Sequence, residues 1–126
     1  MSGFSIRRLD HVNLRTANLD AMTEFYTEVI GLRPGPRPAF PFPGAWLYCG
    51  YTPVLHLVGI EQALRPREPQ IEHFAFSATG LDDFTGRLQR HGLDYRRSKV
   101  PGTSLTQVHL CDSDGNHLHV DFEGQP

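Results

Sequence analysis

Apolar residues recur along this chain in two rhythms, and the rhythms follow the same order twice. RRLDHVNL, residues 7–14, reads as a short, partly buried strand. From Leu19 onward Met22, Phe25, Tyr26, Val29 and Ile30 keep helical spacing, with Asn18 or Asp20 as the amino-terminal cap and Gly31 as the stop. Three short apolar segments come next, at about residues 33–37, 45–50 and 54–60. The second half repeats the order: a strand at 71–77, a helix with Leu81, Phe84 and Leu88 as its stripe and Gly92 as its stop, then segments at 94–98, 105–111 and 117–122. SDGN, just before the last segment, is a hairpin signal. The prolines of PGPRPAFPFPGA, residues 34–45, exclude a central strand and predict a covering loop. EQALRPREP, residues 61–69, reads as the linker between halves.

The likeness of the halves extends to individual residues. LDHVNLRTANLDAM, from Leu9, lies over IEHFAFSATGLDDF, from Ile71, at an offset of 62. In that register His11 meets His73, Asp10 meets Glu72, Asp20 meets Asp82, Thr23 meets Thr85 and Cys49 meets Cys111. An offset of 63 brings VLHLV, around His56, onto HLHVD, around His119. The predicted fold is therefore α+β, with two tandem βαβββ modules at about 5–60 and 70–123 forming one domain over 1–126. A ferredoxin-like alternation of strand and helix would leave the third strand segment after each helix unexplained.

Composition narrows what such a fold does. A chain of 126 residues is long enough for a core without staples, and a formal net charge of -2 argues against nucleic acid or an anionic membrane as partner. Cys49 and Cys111 make no CxxC pair, which speaks against a thiolate zinc site and a disulfide framework. MSGFSIRRLD lacks the apolar segment of a secretory signal, and no run of eighteen apolar residues occurs, so a cytoplasmic protein is expected. Seven histidines are the compositional oddity.

Four of those histidines fall into the two repeat pairs. In DGNHLHVDF, residues 114–122, a strand places His117, His119 and Asp121 on one face and Leu118, Val120 and Phe122 on the other. Like modules pair about a pseudo-twofold axis, so His11, His56, His73 and His119 can converge on one divalent ion, zinc, nickel, iron or manganese. A single strand histidine is ordinarily a hydrogen-bonded core residue; here one explanation must serve four positions. His91 needs only its place near a helix end. His109 and His117, without repeat partners, read as surface or supporting groups. Asn13, Trp46, Tyr48 and Asp121 are expected to line a substrate pocket, with Phe40 and Phe42 either covering it or packing their loop on the core.

Together, LDHVNLRTANLDAMTEFYTEVIGL, GAWLYCG, VLHLV, IEHFAFSATGLDDF and DSDGNHLHVDF resemble the vicinal oxygen chelate superfamily of glyoxalases, bleomycin-resistance proteins and dioxygenases. The resemblance spans nearly the whole chain and implies its βαβββ modules. It places the family's ligand positions on His11, His73 and His119, the last usually a glutamate, and on His56, a glutamate in glyoxalase-like members. Asp121 is the alternative last-strand ligand. The implied function is a glyoxalase-like metalloenzyme acting on a small substrate with vicinal oxygens. A ring-cleaving dioxygenase and a metal-free drug-sequestering protein are the alternatives. A homodimer is implied too, with sites formed within or between chains.

Overall fold

The computed structural model describes residues 3–65 and 68–124. In chain order the elements are β1 (Val12–Thr16), α1 (Leu19–Glu24) running on into a π-helical turn (Phe25–Ile30), β2 (Arg33–Gly35), β3 (Gly44–Cys49) and β4 (Thr52–Gly59). The second module gives β5 (Phe74–Ala78), α2 (Leu81–Arg90), β6 (Arg96–Lys99), β7 (Thr106–Cys111) and β8 (His117–Phe122). Each module forms its own four-stranded sheet, ordered β1-β4-β3-β2 and β5-β8-β7-β6. The fold is two tandem βαβββ modules, as the repeat predicts. The first strand of each module pairs parallel with the last, and the other pairings are antiparallel.

The first strands begin later than the pattern suggests. Residues 7–11 and 71–73 lie outside regular structure, and Leu9 and Ile71 are 80% exposed, so their apolar character did not mark burial in this chain. Both helices stop where expected. Gly31 and Gly92 take φ of 97° and 67°, left-handed values that glycine adopts without a Cβ clash. Asn18 occupies the cap position of α1, but its side chain makes no capping bond and donates instead to Asp114 Oδ1 at 3.0 Å. The π-helical turn was not predicted; Tyr26 O accepts from both Gly31 N and Leu32 N there.

One continuous core runs beneath the sheets. Met22, Phe25, Tyr26 and Val29 from the first helix meet Leu47, Leu55 and Leu57, while Leu81, Phe84 and Leu88 meet Val108, Leu118, Val120 and Phe122. The side chain of Asp112 ties the first helix to the β7–β8 turn. It accepts from Tyr26 Oη at 2.6 Å, and from Asp114 N, Asn116 N and Asn116 Nδ2 at 2.9 to 3.0 Å. Burial, reinforced by the Asp112 carboxylate, pushes the Tyr26 hydroxyl far above its ordinary pKa, so it stays a donor.

Candidate metal and substrate site

Strand alternation turns one face of each sheet to the core and leaves the other for chemistry. On the first sheet, parallel pairing sets Asn13 beside His56, and antiparallel pairing sets Trp46 on its other side. His56 is sandwiched: its ring stacks on His11 at 3.9 Å between centroids and on Trp46 at 4.1 Å. Phe40 lies 6.4 Å from Trp46 and stacks with Phe42, while Arg37 sits about 5 Å from both phenyl rings. The proline-rich loop therefore packs on the aromatic column. Tyr48 goes elsewhere: its hydroxyl donates to Pro36 O, and its ring lines a cleft with Leu32, Phe76 and Phe84.

The second sheet carries the equivalent face in more polar form. His119 is flanked by Ala75 on β5 and His109 on β7. Its ring centroid lies 4.6 Å from His73 and 4.9 Å from His109, and His117 lies 5.1 Å from His73. One expectation changes here. His109 does have a repeat counterpart, since it stands beside His119 as Trp46 stands beside His56. Of the surface and supporting places expected for His109 and His117, the structure gives the supporting one: both are half-buried and hydrogen-bonded within the cluster. The usable signal was the offset of 63, which superposes Trp46 on His109 but joins unlike residues.

Carboxylates orient most of the imidazoles. His11 Nδ1 donates to Asp10 Oδ1 at 2.8 Å, His73 Nδ1 donates to Glu72 Oε1, and His119 Nδ1 donates to Asp121 Oδ1 at 2.6 Å. A carboxylate only accepts, so in each neutral ring Nε2 keeps its lone pair, as a metal ligand requires. His56 is the exception, because its Nε2 donates to Pro53 O at 3.1 Å and leaves Nδ1 free. These donors suit zinc, nickel or iron in chemistry and protonation state. Asp10 and Glu72 matched in the repeat, yet their orienting role shows only once the ring contacts are seen. Asp121 supports His119 by that same kind of bond.

Bonds from His11 and His73 hold the Asp10 and Glu72 carboxyls below their ordinary pKa. Burial lowers the pKa of His56, aided by repulsion from His11, and burial with nearby Arg96 lowers that of His109. For a histidine depressed in the folded state, the unfolded chain binds more protons between the two values. Stability is thus fully present above the unfolded value near 6.5 and declines as pH falls through it toward the folded one. Imidazole proton titrations of the metal-free protein should place His56 and His109 below 6.5. Ordinary or raised values would contradict the burial seen here.

Among the described residues, the four repeat histidines are not a group with all ligand atoms within 4.8 Å of one another. Among the described residues, Glu72, His73 and His117 are the group whose ligand atoms all approach within 4.8 Å. The family model of the Glyoxalase/Bleomycin resistance protein/Dioxygenase superfamily matches residues 8–120. This chain belongs to that superfamily. It is 30% identical over 120 residues to Glyoxylase I 4 of Arabidopsis thaliana, covering 89% of this chain and 68% of the relative. A glyoxalase family protein from Bacillus anthracis superposes with a TM-score of 0.78 at 24% identity, covering 98% of this chain and 99% of the other. Lactoylglutathione lyase from Agrobacterium tumefaciens does so with 0.69 at 22% identity, covering 91% and 92%. Superfamily membership is compatible with a small-molecule site and a divalent ion. No helix among the described residues is long and apolar enough to cross a membrane.

Proposed function

We propose that the protein is a glyoxalase-like metalloenzyme of the lyase or isomerase type, active as a cytoplasmic homodimer. In this reading His11 and His56 of one protomer and the equivalent His73 and His119 positions of a second copy hold one divalent ion. The observation that carries it is the pair of histidine groups, one per module, His11 with His56 and His73 with His119, in which all but His56 are held by a carboxylate. The names of the Arabidopsis and Agrobacterium relatives point the same way. So does the exposure of the unpaired thiols of Cys49 and Cys111, which suits a reducing compartment.

The ion supplies Lewis acidity toward a carbonyl or enediolate bearing vicinal oxygens. The chain's own residues bind and orient. Trp46, with Phe40 and Phe42 beyond it, offers an apolar wall, and Asn13 beside His56 offers a hydrogen-bonding amide. Asp10, Glu72 and Asp121 hold protons on Nδ1 of their histidines and leave the Nε2 lone pair for a ligand role. Four imidazoles in place of two histidines and two carboxylates leave the centre more positive, which favours an anionic, oxygen-bearing substrate.

Elemental analysis of untagged protein is expected to find about one ion per chain. Zinc or nickel should also raise the dimer fraction in sizing chromatography. A monomer at every metal concentration would overturn the shared centre. Trp46, the single tryptophan, reports on the same site because it stacks on His56. Its fluorescence should change on metal addition and revert with EDTA. The aromatic column of Phe40, Phe42, Trp46 and His56 favours a second reading, capture of a flat aromatic ligand without metal. Aromatic binding that persists in EDTA, with no metal response, would favour that reading instead.

A further inference from the structure

We infer that the second module of a single chain holds a divalent transition-metal ion by itself, through Glu72, His73 and His117, without a partner. This centre would compete for His73 with the shared four-histidine centre proposed above, but it does not depend on that reading. The carboxylate of Glu72 lies between the two rings: Oε1 accepts from His73 Nδ1, and Oε2 accepts from His117 Nδ1 at 2.8 Å. Two imidazole nitrogens and a carboxylate oxygen form a set suited to zinc, cobalt, nickel or iron, with coordination positions left for water.

The module differs from its twin in the direction of this chemistry. At the offset of 63, His117 stands where the first module has Val54, and His109 stands where it has Trp46. Two positions that are apolar in the first module are imidazoles in the second. Ordinary packing does not call for that exchange, because the first module supports the same sheet without it.

A hydrogen-bonded chain makes the ring nitrogens available. In the metal-free arrangement Ser98 Oγ donates to His109 Nε2 at 3.0 Å, His109 Nδ1 donates to His117 Nε2 at 3.0 Å, and His117 Nδ1 donates to Glu72. For an ion to take Nδ1 of His117, the proton there must reside on Nε2. His109 then accepts on Nδ1 and donates from Nε2 to Ser98, whose hydroxyl serves equally as donor or acceptor. The chain reverses with every ring still neutral and no polar atom stranded. His73 likewise moves its proton to Nε2, which removes its lone pair from the shared centre. The two centres are thus alternatives, and the single-chain one can capture an ion before the partner module arrives.

The test is cobalt(II) and zinc titration of the full-length His11→Ala/His56→Ala variant, which lacks the first-module half of the shared centre. It should still bind about one ion per chain. Adding His117→Asn or Glu72→Gln should weaken binding at least tenfold, whereas adding His91→Ala should not. Long-range proton–nitrogen spectra with zinc should show ligation at Nδ1 of His73 and His117. Absence of binding in the double variant, or binding indifferent to His117 and Glu72, or ligation at Nε2 of His73, would overturn the inference. Failure of the shared centre has a different signature: wild-type protein that binds metal no more tightly than the double variant and does not dimerise with it.

Discussion

His73→Ala lowers affinity for zinc or nickel by more than about 100-fold, the largest loss expected from any single substitution at the site. Removing a partner that merely orients a ligand typically costs 10–100-fold, and removing the ligand itself exceeds that. His73 also belongs to both arrangements of donors described above, the repeat pair with His11 and the cluster with Glu72 and His117. No neighbour replaces it, because His119 is already a ligand of the shared centre and His117 of the single-chain one, with His117 Nε2 engaged by His109. Glu72→Gln keeps an acceptor beside the ring but removes the charge, so a loss of about tenfold is expected. Competition titration against a chelator of known affinity reads both effects. Wild-type affinity in His73→Ala would remove the basis for a histidine-bound metal in the second module.

Asp112→Ala should destabilise the protein by about 3 kcal/mol, although residue 112 touches none of the candidate ligands. The carboxylate gathers four donors in a buried position: two backbone amides and a side-chain amide of its own turn, and the Tyr26 hydroxyl from the first helix. Alanine leaves the Tyr26 hydroxyl without its acceptor inside the core, and a stranded buried polar group costs about 1–3 kcal/mol. It also frees a turn that docks on the first module through Asn18 to Asp114 and Ser113 to Ala21. For a chain of this length the melting temperature should fall by about 10 °C. Tyr26→Phe, which removes only the hydroxyl, should cost less, about 1 kcal/mol. Urea denaturation of the metal-free protein measures both, and an unchanged midpoint for Asp112→Ala would show that solvent replaces the carboxylate.

Much of the architecture was legible because a repeated pattern constrains itself. A strand, a helix stripe ending in glycine and three further strands, found twice in one register, left little freedom in topology. The edges were less legible. Leu9 and Ile71 look like strand residues, yet β1 and β5 begin only at Val12 and Phe74, and both side chains are largely exposed. A partner chain could cover them, which local pattern does not report. The π-helical turn at Phe25–Ile30 is invisible to a 3.6-residue stripe, since the extra residue per turn disturbs the apolar spacing only slightly. Asn18 was legible as a cap position but not in its long-range bond to Asp114, 96 residues away.

At the candidate site, the repeat singled out His11, His56, His73 and His119 because like residues recur at matching positions. His109 and His117 escaped the same reading because their counterparts, Trp46 and Val54, are apolar. Identity across a repeat detects residues that both copies share and overlooks those that only one carries.

The sequence by itself determined the modules, the order of strands and helix along each, the helix stops and the histidine pairs, since these follow from periodicity, glycine conformation and internal likeness. Tertiary structure decided which nitrogen of each ring is free, which carboxylate holds the other, and how Glu72, His73, His117 and His109 come together. Among the described residues it also brought Glu72, His73 and His117, rather than the four repeat histidines, within 4.8 Å of one another. Hydrogen-bond direction and convergence depend on distances between atoms far apart in the chain, and a linear pattern of residue types carries no such distances.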